Sequence, residues 1–163
     1  MMTRESFTVS DAIITTGVTK PLLQRWLKHG WVTGSRSAPA IEEKDLRFSR
    51  EDLYHLAFLK KAADAGISLS AAVEKINIYS LCQTLGAYPQ IEVVGIAFSR
   101  VLVDGEIKTE GGWIISPELD RQTGWESLGL IEKRLREDAE DFYIFNFIQL
   151  KNRVDNIITM LQG

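Results

Sequence analysis

A short segment near the N-terminus, GVTKPLLQRWLKHGWV, combines side chains that can contact nucleic acid. Gln24 can pair bidentately with adenine, and Arg25 can do so with guanine. Lys20 and Lys28 carry charges that neutralise phosphates. Thr19, at the start of the predicted helix, can offer its hydroxyl and nearby backbone N–H groups to a phosphate. The chemistry that these residue types indicate is recognition of double-stranded DNA.

The same spacing also fits an ordinary solvated helix face. Lys20, Arg25 and Lys28 follow each other at i, i+5 and i+8. Trp26 is predicted to lie in the core rather than against a base. The surrounding elements must therefore decide between a DNA-binding helix and a solvated one.

Residues for enzyme or metal chemistry are few. Cys82 is the only cysteine, so an intrachain disulfide and a thiolate metal site are excluded. His29 and His55 are the only histidines, and they fall in different segments. No Cys/His or Ser/His/Asp set is indicated locally, and we expect a protein that is not an enzyme, with no metal and no cofactor.

Length and charge limit the fold and the partners. The 163 residues allow one ordinary domain or two small ones, and 45% hydrophobic with 25% charged residues is typical of a soluble globular chain. No apolar run reaches the ~18 residues of a membrane helix, and the start MMTRESFTVSD lacks a signal core, so we expect a cytoplasmic location. The net charge of −3 divides into +3 over residues 1–50 and −5 over residues 81–163, which indicates two roles.

The first half predicts a helix-turn-helix followed by two further helices. A Thr8/Asp11 capping box starts a helix over 9–16, with Val9, Ala12 and Ile13 facing inward, and Gly17 ends it. Thr19 then caps a second helix that ends before Gly30. After a polar loop, Ser49 and Asp52 form a second capping box for a helix over 50–64, and a fourth helix is predicted over 69–79.

The second half predicts a small α+β domain. Asp104-Gly105, between runs of branched residues, is a strong hairpin signal, and GGWIIS is a candidate third strand. From about residue 126 the chain is predicted to be helical to its end. Apolar residues there repeat at 4, 3, 4, 3, 4, which predicts a dimerisation seam of Tyr143, Phe147, Leu150, Val154, Ile157 and Leu161. The alternative is that this helix packs against its own sheet.

The stretches FTVSDAIITTGVTKPLLQRWLKHGWV and LRFSREDLYHLAFLKKAADAGISLSAA together resemble the winged helix-turn-helix domain of the MerR family of transcription regulators. The resemblance covers roughly residues 7–76. It lies in the order of the elements: a capped helix, GV-T/S, a recognition helix, a Gly before a hydrophobic pair, and a wing that ends in Arg-aromatic-Ser. It implies DNA binding, dimerisation through a C-terminal helix, and a wing in which Arg36 and Arg47 reach the DNA backbone or a minor groove.

The chain also departs from that pattern. The usual Arg and two aromatics of the recognition helix are Gln24, Arg25 and Trp26, and the usual Glu after them is Leu27. The wing is longer than usual and keeps one arginine of a frequent pair. The paired cysteines of the metal-sensing branch are absent from the sequence. These differences indicate an altered base preference and leave any effector undefined.

The sequence therefore predicts an α+β protein, with a MerR-like winged helix-turn-helix over residues 1–87 and a domain over residues 88–163 that carries the β-hairpin and a long C-terminal helix. We expect a homodimeric, sequence-specific transcriptional regulator. Two alternatives remain open. One is an architectural, excisionase-like DNA-binding factor, and the other is a protein-binding adaptor that keeps the fold without DNA contact.

Overall fold

A computed structural model describes residues 6–32, 43–87, 93–115 and 139–163. Over these residues the fold is α+β, with five helices, a three-stranded antiparallel sheet and a C-terminal helix. The chain divides into two units, the first made of Met1–Leu69 with Leu150–Gly163 and the second of Ser70–Gln149. The domain boundary predicted between residues 87 and 88 adjoins residues outside the described ranges and stays a prediction.

Side-chain caps fix the helices of the first unit. Helix α1 spans Val9–Thr16, and its Thr8 side chain accepts a hydrogen bond from the Asp11 backbone while the Asp11 carboxylate accepts one from the Thr8 backbone. Gly17 ends α1 with a φ of 73°, a left-handed conformation that glycine adopts without steric cost. Helix α2 then spans Lys20–Lys28. Both boundaries agree with those predicted from the sequence.

Helix α3 spans Arg50–Asp64 and contributes more buried hydrophobic side chains to the first unit than any other described element. Its Ser49/Asp52 capping box is formed as predicted, and α1 packs against it. An antiparallel bridge joins Phe7 to Phe48 just before α1 and α3 begin. The core of this unit includes the buried side chains of Phe7, Ala12, Val18, Leu23, Trp26, Val32, Phe48, Leu53, Leu56, Phe58 and Leu59.

The C-terminal helix, α6 (Phe147–Gln162), is tied to α3 by a polar cluster. Asp155 accepts hydrogen bonds from Arg50 at 2.6 Å, from Lys151 at 2.9 Å and from the Tyr54 hydroxyl. Burial raises the pKa of Asp155, but the hydrogen bonds from Lys151, Tyr54 and Arg50 outweigh it and hold that pKa below its usual range. Burial and the bond to Asp155 raise the pKa of Tyr54. The cluster therefore holds Asp155 ionised and Tyr54 protonated at neutral pH.

The fourth predicted helix is two helices in the structure. Helix α4 covers Leu69–Lys75 and α5 covers Ile78–Ala87. The prediction of one continuous helix over 69–79 is therefore wrong. The break has a local cause, because the Asn77 side chain accepts a hydrogen bond from the Ser80 backbone at 2.9 Å and caps α5. Ile76 and Ile78 on either side of the break are fully buried.

The sheet of the second unit has the order β2-β1-β3, with β1 at Val93–Val103, β2 at Glu106–Ile115 and β3 at Ala139–Asn146. The predicted hairpin is confirmed. Asp104 and Gly105 have φ of 52° and 81°, the two positive values that a type I′ turn requires. A short 3₁₀ turn at Glu43–Asp45 completes the elements of the described residues.

Two expectations for the rear half are wrong. The GGWII segment belongs to β2 rather than to a third strand, and residues 139–146 form β3 where a helix was expected. The run from Phe142 to Phe145 is aromatic and branched, a composition that favours strands, and it pairs antiparallel with β1. The expectation of helix over residues 126–138 falls outside the described residues.

One glycine in the sheet is set by close packing. Gly111 lies opposite Phe98 across β1 and β2, and a Cβ atom there would come within 3.0 Å of the Phe98 ring and 3.1 Å of the Lys75 Cβ. Gly112, the next residue, has no heavy atom within 4 Å of the same position. A methyl group at Gly111 would therefore require the Phe98 ring or Lys75 to shift by a few tenths of an ångström.

We expect Gly111→Ala to lower the free energy of unfolding by about 1–3 kcal/mol, because the methyl group must displace a buried ring. The matched variant Gly112→Ala should change it by less than about 0.5 kcal/mol. Urea unfolding followed by circular dichroism measures both. Equal effects of the two substitutions would contradict the packing described for Phe98.

Candidate nucleic-acid interface

Helix α2 has one face in the core and one at the surface. Leu23 is 1% exposed and Trp26 is fully buried. Five side chains predicted to contact DNA are all exposed on the remaining surface: Thr19, Lys20, Gln24, Arg25 and Lys28. Three are basic, and α2 contains no acidic residue. The exposed face of α2 therefore presents a positive charge with an amide and a guanidinium side by side.

Positions 20, 24 and 28 lie one helical turn apart, so Lys20, Gln24 and Lys28 form a row along α2. Arg25 lies beside this row. The Thr19 side chain makes no capping hydrogen bond to α2, unlike Thr8 at α1. The nine residues of α2 give a rod about 13 Å long, which the ~12 Å major groove of B-DNA can accept.

The end of α2 is held in place through Trp31. Gly30 turns the chain with a φ of 73°, and the Trp31 N–H donates to the Trp26 carbonyl at 3.1 Å. The buried His55 of α3 donates from Nε2 to the Trp31 carbonyl at 2.7 Å, since a carbonyl oxygen can only accept. Hydrogen bonds therefore connect the last turn of α2 to α3, which orients the exposed face.

His55 is held in its neutral form by its surroundings. Burial lowers the pKa of His55, and this outweighs the bond to Trp31 and the charge of Asp52, both of which raise it. His29, at the end of α2, is exposed and stacks on the Trp31 ring with a centroid distance of 4.7 Å. The two histidines thus contact the same residue from the buried and the exposed side.

The predicted wing is described only at its end. Arg36 lies outside the described residues. Arg47 is partly buried and donates to the backbone carbonyls of Lys44 at 2.7 Å and Leu46 at 3.0 Å. These bonds tie its guanidinium to the local backbone. A DNA contact by either arginine stays a prediction.

The residues predicted for dimerisation are divided by the structure. Tyr143 lies in β3, and the other five lie on α6. Phe147, Leu150 and Val154 are buried within the chain itself, as is Ile158 outside the predicted set. Ile157 is half-buried and Leu161 is 40% exposed. Burial within one chain accounts for the inner residues without a partner, and dimerisation stays a prediction.

His55 is the residue of this region to which sequence analysis gave no role. It lies 24 residues from Trp31, and its buried neighbours one turn away on α3 are Asp52 and Leu59. A single histidine between Tyr54 and Leu56 carries no spacing signal for such a distant partner. A buried polar residue amid apolar neighbours is the one indication, because such a residue needs a hydrogen bond in the fold.

The described residues hold no group of three His, Cys, Asp or Glu side chains that can bind a metal ion. None of their helices is both long and apolar enough to span a bilayer. Comparison with known proteins yields no family model that matches the chain and no curated protein with significant similarity to it. The resemblance to the MerR family therefore stays a prediction.

We expect the stability of the protein to fall as the pH drops from 7 to 5. The unfolded chain protonates His55 near its usual pKa of 6.5, whereas the folded chain resists protonation. The contribution of neutral His55 to the free energy of unfolding is thus fully present above pH 6.5. Below that pH it declines, by at most ~1.4 kcal/mol per pH unit for one proton. His55→Gln should reduce this slope.

His29→Gln is the matched control, because His29 is the other histidine and is exposed. It should keep the wild-type slope. Urea unfolding at several pH values between 5 and 7 measures all three proteins. A wild-type slope retained by His55→Gln and lost by His29→Gln would contradict the assignment.

Proposed function

We propose that the protein is a sequence-specific DNA-binding transcriptional regulator that acts as a homodimer, with α2 as its recognition helix. The observation that carries the proposal is the exposed face of α2. All five residues chosen for DNA contact are at the surface, while Leu23 and Trp26 anchor the helix in the core. A basic helix fixed in this way can enter the major groove as a rigid unit.

Each exposed side chain has a distinct role in this proposal. Gln24 and Arg25 read base edges, since an amide pairs bidentately with adenine and a guanidinium with guanine. Lys20, Lys28 and Thr19 contact phosphates, which set affinity and register but carry no sequence information. The arrangement α1, turn, α2 supports the proposal, because the turn between them is only Gly17, Val18 and Thr19.

Selection of bound sequences from a random DNA pool tests the proposal. A regulator should enrich one defined site with two-fold symmetry, because a dimer presents two α2 helices related by a two-fold axis. An architectural factor should enrich tandem sites. If no sequence is enriched and gel assays show no shifted DNA, DNA binding is contradicted. The protein-binding adaptor is then the remaining alternative.

We expect Arg25→Ala to weaken binding to the selected site by about 1–3 kcal/mol and to relax the base preference at one position. Binding to random DNA should change much less. Arg153→Ala is the control, because Arg153 is also an exposed arginine but lies on α6. Fluorescence anisotropy with both DNAs measures the difference. An equal loss on both DNAs would make Arg25 a phosphate contact.

Lys28→Gln should behave differently from Arg25→Ala. A phosphate contact releases counterions, so its loss should reduce the slope of log affinity against log salt by about one. Affinity for selected and random DNA should fall by the same factor. Titrations at several salt concentrations measure the slope. A selective loss on the chosen site, with an unchanged slope, would place Lys28 against bases instead.

A further inference from the structure

Helix α1 is oriented against its own hydrophobic pattern. The sequence predicts Val9, Ala12 and Ile13 toward the core, but the structure buries Ala12, Thr15 and Thr16. Val9 and Ile13 are only partly buried, and Ile14 is 56% exposed. The helix thus buries two threonines while Val9 and Ile13 stay half-buried and Ile14 is exposed.

This orientation is unfavourable for the fold alone. Thr16 satisfies its hydroxyl by donating to the Ala12 carbonyl at 2.7 Å. The Thr15 hydroxyl is buried and has no hydrogen-bond partner among the described residues. A buried unsatisfied polar group is destabilising, and so is an isoleucine left in water. A surface with an exposed isoleucine and a buried, unsatisfied hydroxyl is often a functional site, because the exposed side chain binds a partner.

The outward side chains of α1 form one wall of an open groove of about 620 Å³. The apolar residues that line it are Val9, Ile13 and Ile14, all on α1. Lys20 of α2 and Lys44 also line it, and both are exposed. The described lining residues, which also include Thr8 and Ser10, contain no acidic side chain.

We propose that this groove docks an amphipathic acidic segment of a partner protein. Leucine-like side chains of the segment would cover Ile13 and Ile14, and its carboxylates would face Lys20 and Lys44. This is the helix-in-groove mode of recognition, in which apolar anchors give affinity and charges fix the orientation. The proposal does not depend on DNA binding by α2.

The composition of the groove distinguishes this partner from two others. A DNA strand presents phosphates and sugars, which gain little from three aliphatic side chains. A second copy of the same groove would bring Lys20 and Lys44 against their own counterparts, which places like charges together. An acidic amphipathic segment complements both the apolar lining and the two lysines.

Selection from a library of random 12-residue peptides displayed on phage tests the proposal with the full chain as bait. The library should yield peptides with acidic residues between apolar residues at helical spacing. Binding of a selected peptide, measured by fluorescence anisotropy, should weaken at least tenfold in Ile14→Ser. Replacement of both lysines, Lys20→Gln with Lys44→Gln, should weaken it by a similar factor and reduce its salt dependence.

Ile144→Ser is the matched control, since Ile144 is 57% exposed but lies on β3 in the second unit. It should leave peptide affinity unchanged, and circular dichroism should show all variants folded. Selection of basic or uncharged peptides, or of peptides insensitive to Ile14→Ser, would overturn the proposal. A monomerising effect of Ile14→Ser would assign the groove to a second copy, and a tenfold loss of DNA affinity in Ile14→Ser without peptide recovery would assign it to DNA.

Discussion

Burial of one face of α2 is the constraint on which the rest of the first unit depends. Leu23 and Trp26 are 1% and 0% exposed, and burial of such side chains contributes roughly 1.5–3 kcal/mol each. Once these two are fixed in the core, the period of 3.6 residues per turn sets the direction of every other side chain of α2. Lys20, Gln24 and Lys28 then lie outward as a row.

The hydrogen bonds around Trp31 add what hydrophobic burial cannot supply. Apolar contacts hold a helix at a given depth in the core but still allow it to slide and rotate. Hydrogen bonds are directional and oppose both movements. The Trp31 N–H donates to the Trp26 carbonyl, and His55 donates to the Trp31 carbonyl, so hydrogen bonds link the end of α2 to α3. A surface that is held rigid in the free protein loses little conformational entropy when it binds a ligand.

The local signals in the sequence predict the first unit well for a physical reason. The capping boxes at Thr8 and Ser49 and the glycine at residue 17 act over three or four residues. A short segment of sequence therefore contains both partners of each interaction. The hairpin turn at Asp104-Gly105 is equally local. The exposed set on α2 follows from helical periodicity once Trp26 is assigned to the core.

The failures lie where distant residues decide the outcome. Arg50 and Asp155 are 105 residues apart and His55 and Trp31 are 24 apart, and neither pair has a spacing pattern. In β3, the continuous apolar run from Phe142 to Phe145 fits a buried helix segment as well as a buried strand. Pairing with β1, which the sequence does not display, selects the strand. In α1, packing against α3 decides which face is buried, and the apolar periodicity does not display that contact.

The two proposed surfaces of the first unit share Lys20, which lines the α1 groove and begins the exposed row of α2. Both proposed ligands are negatively charged, so a phosphate and a partner carboxylate placed at the same lysine would repel each other. If both proposals hold, partner binding lowers affinity for DNA, and by thermodynamic linkage DNA lowers affinity for the partner by the same factor. An acidic protein segment would then release the proposed regulator from its DNA site.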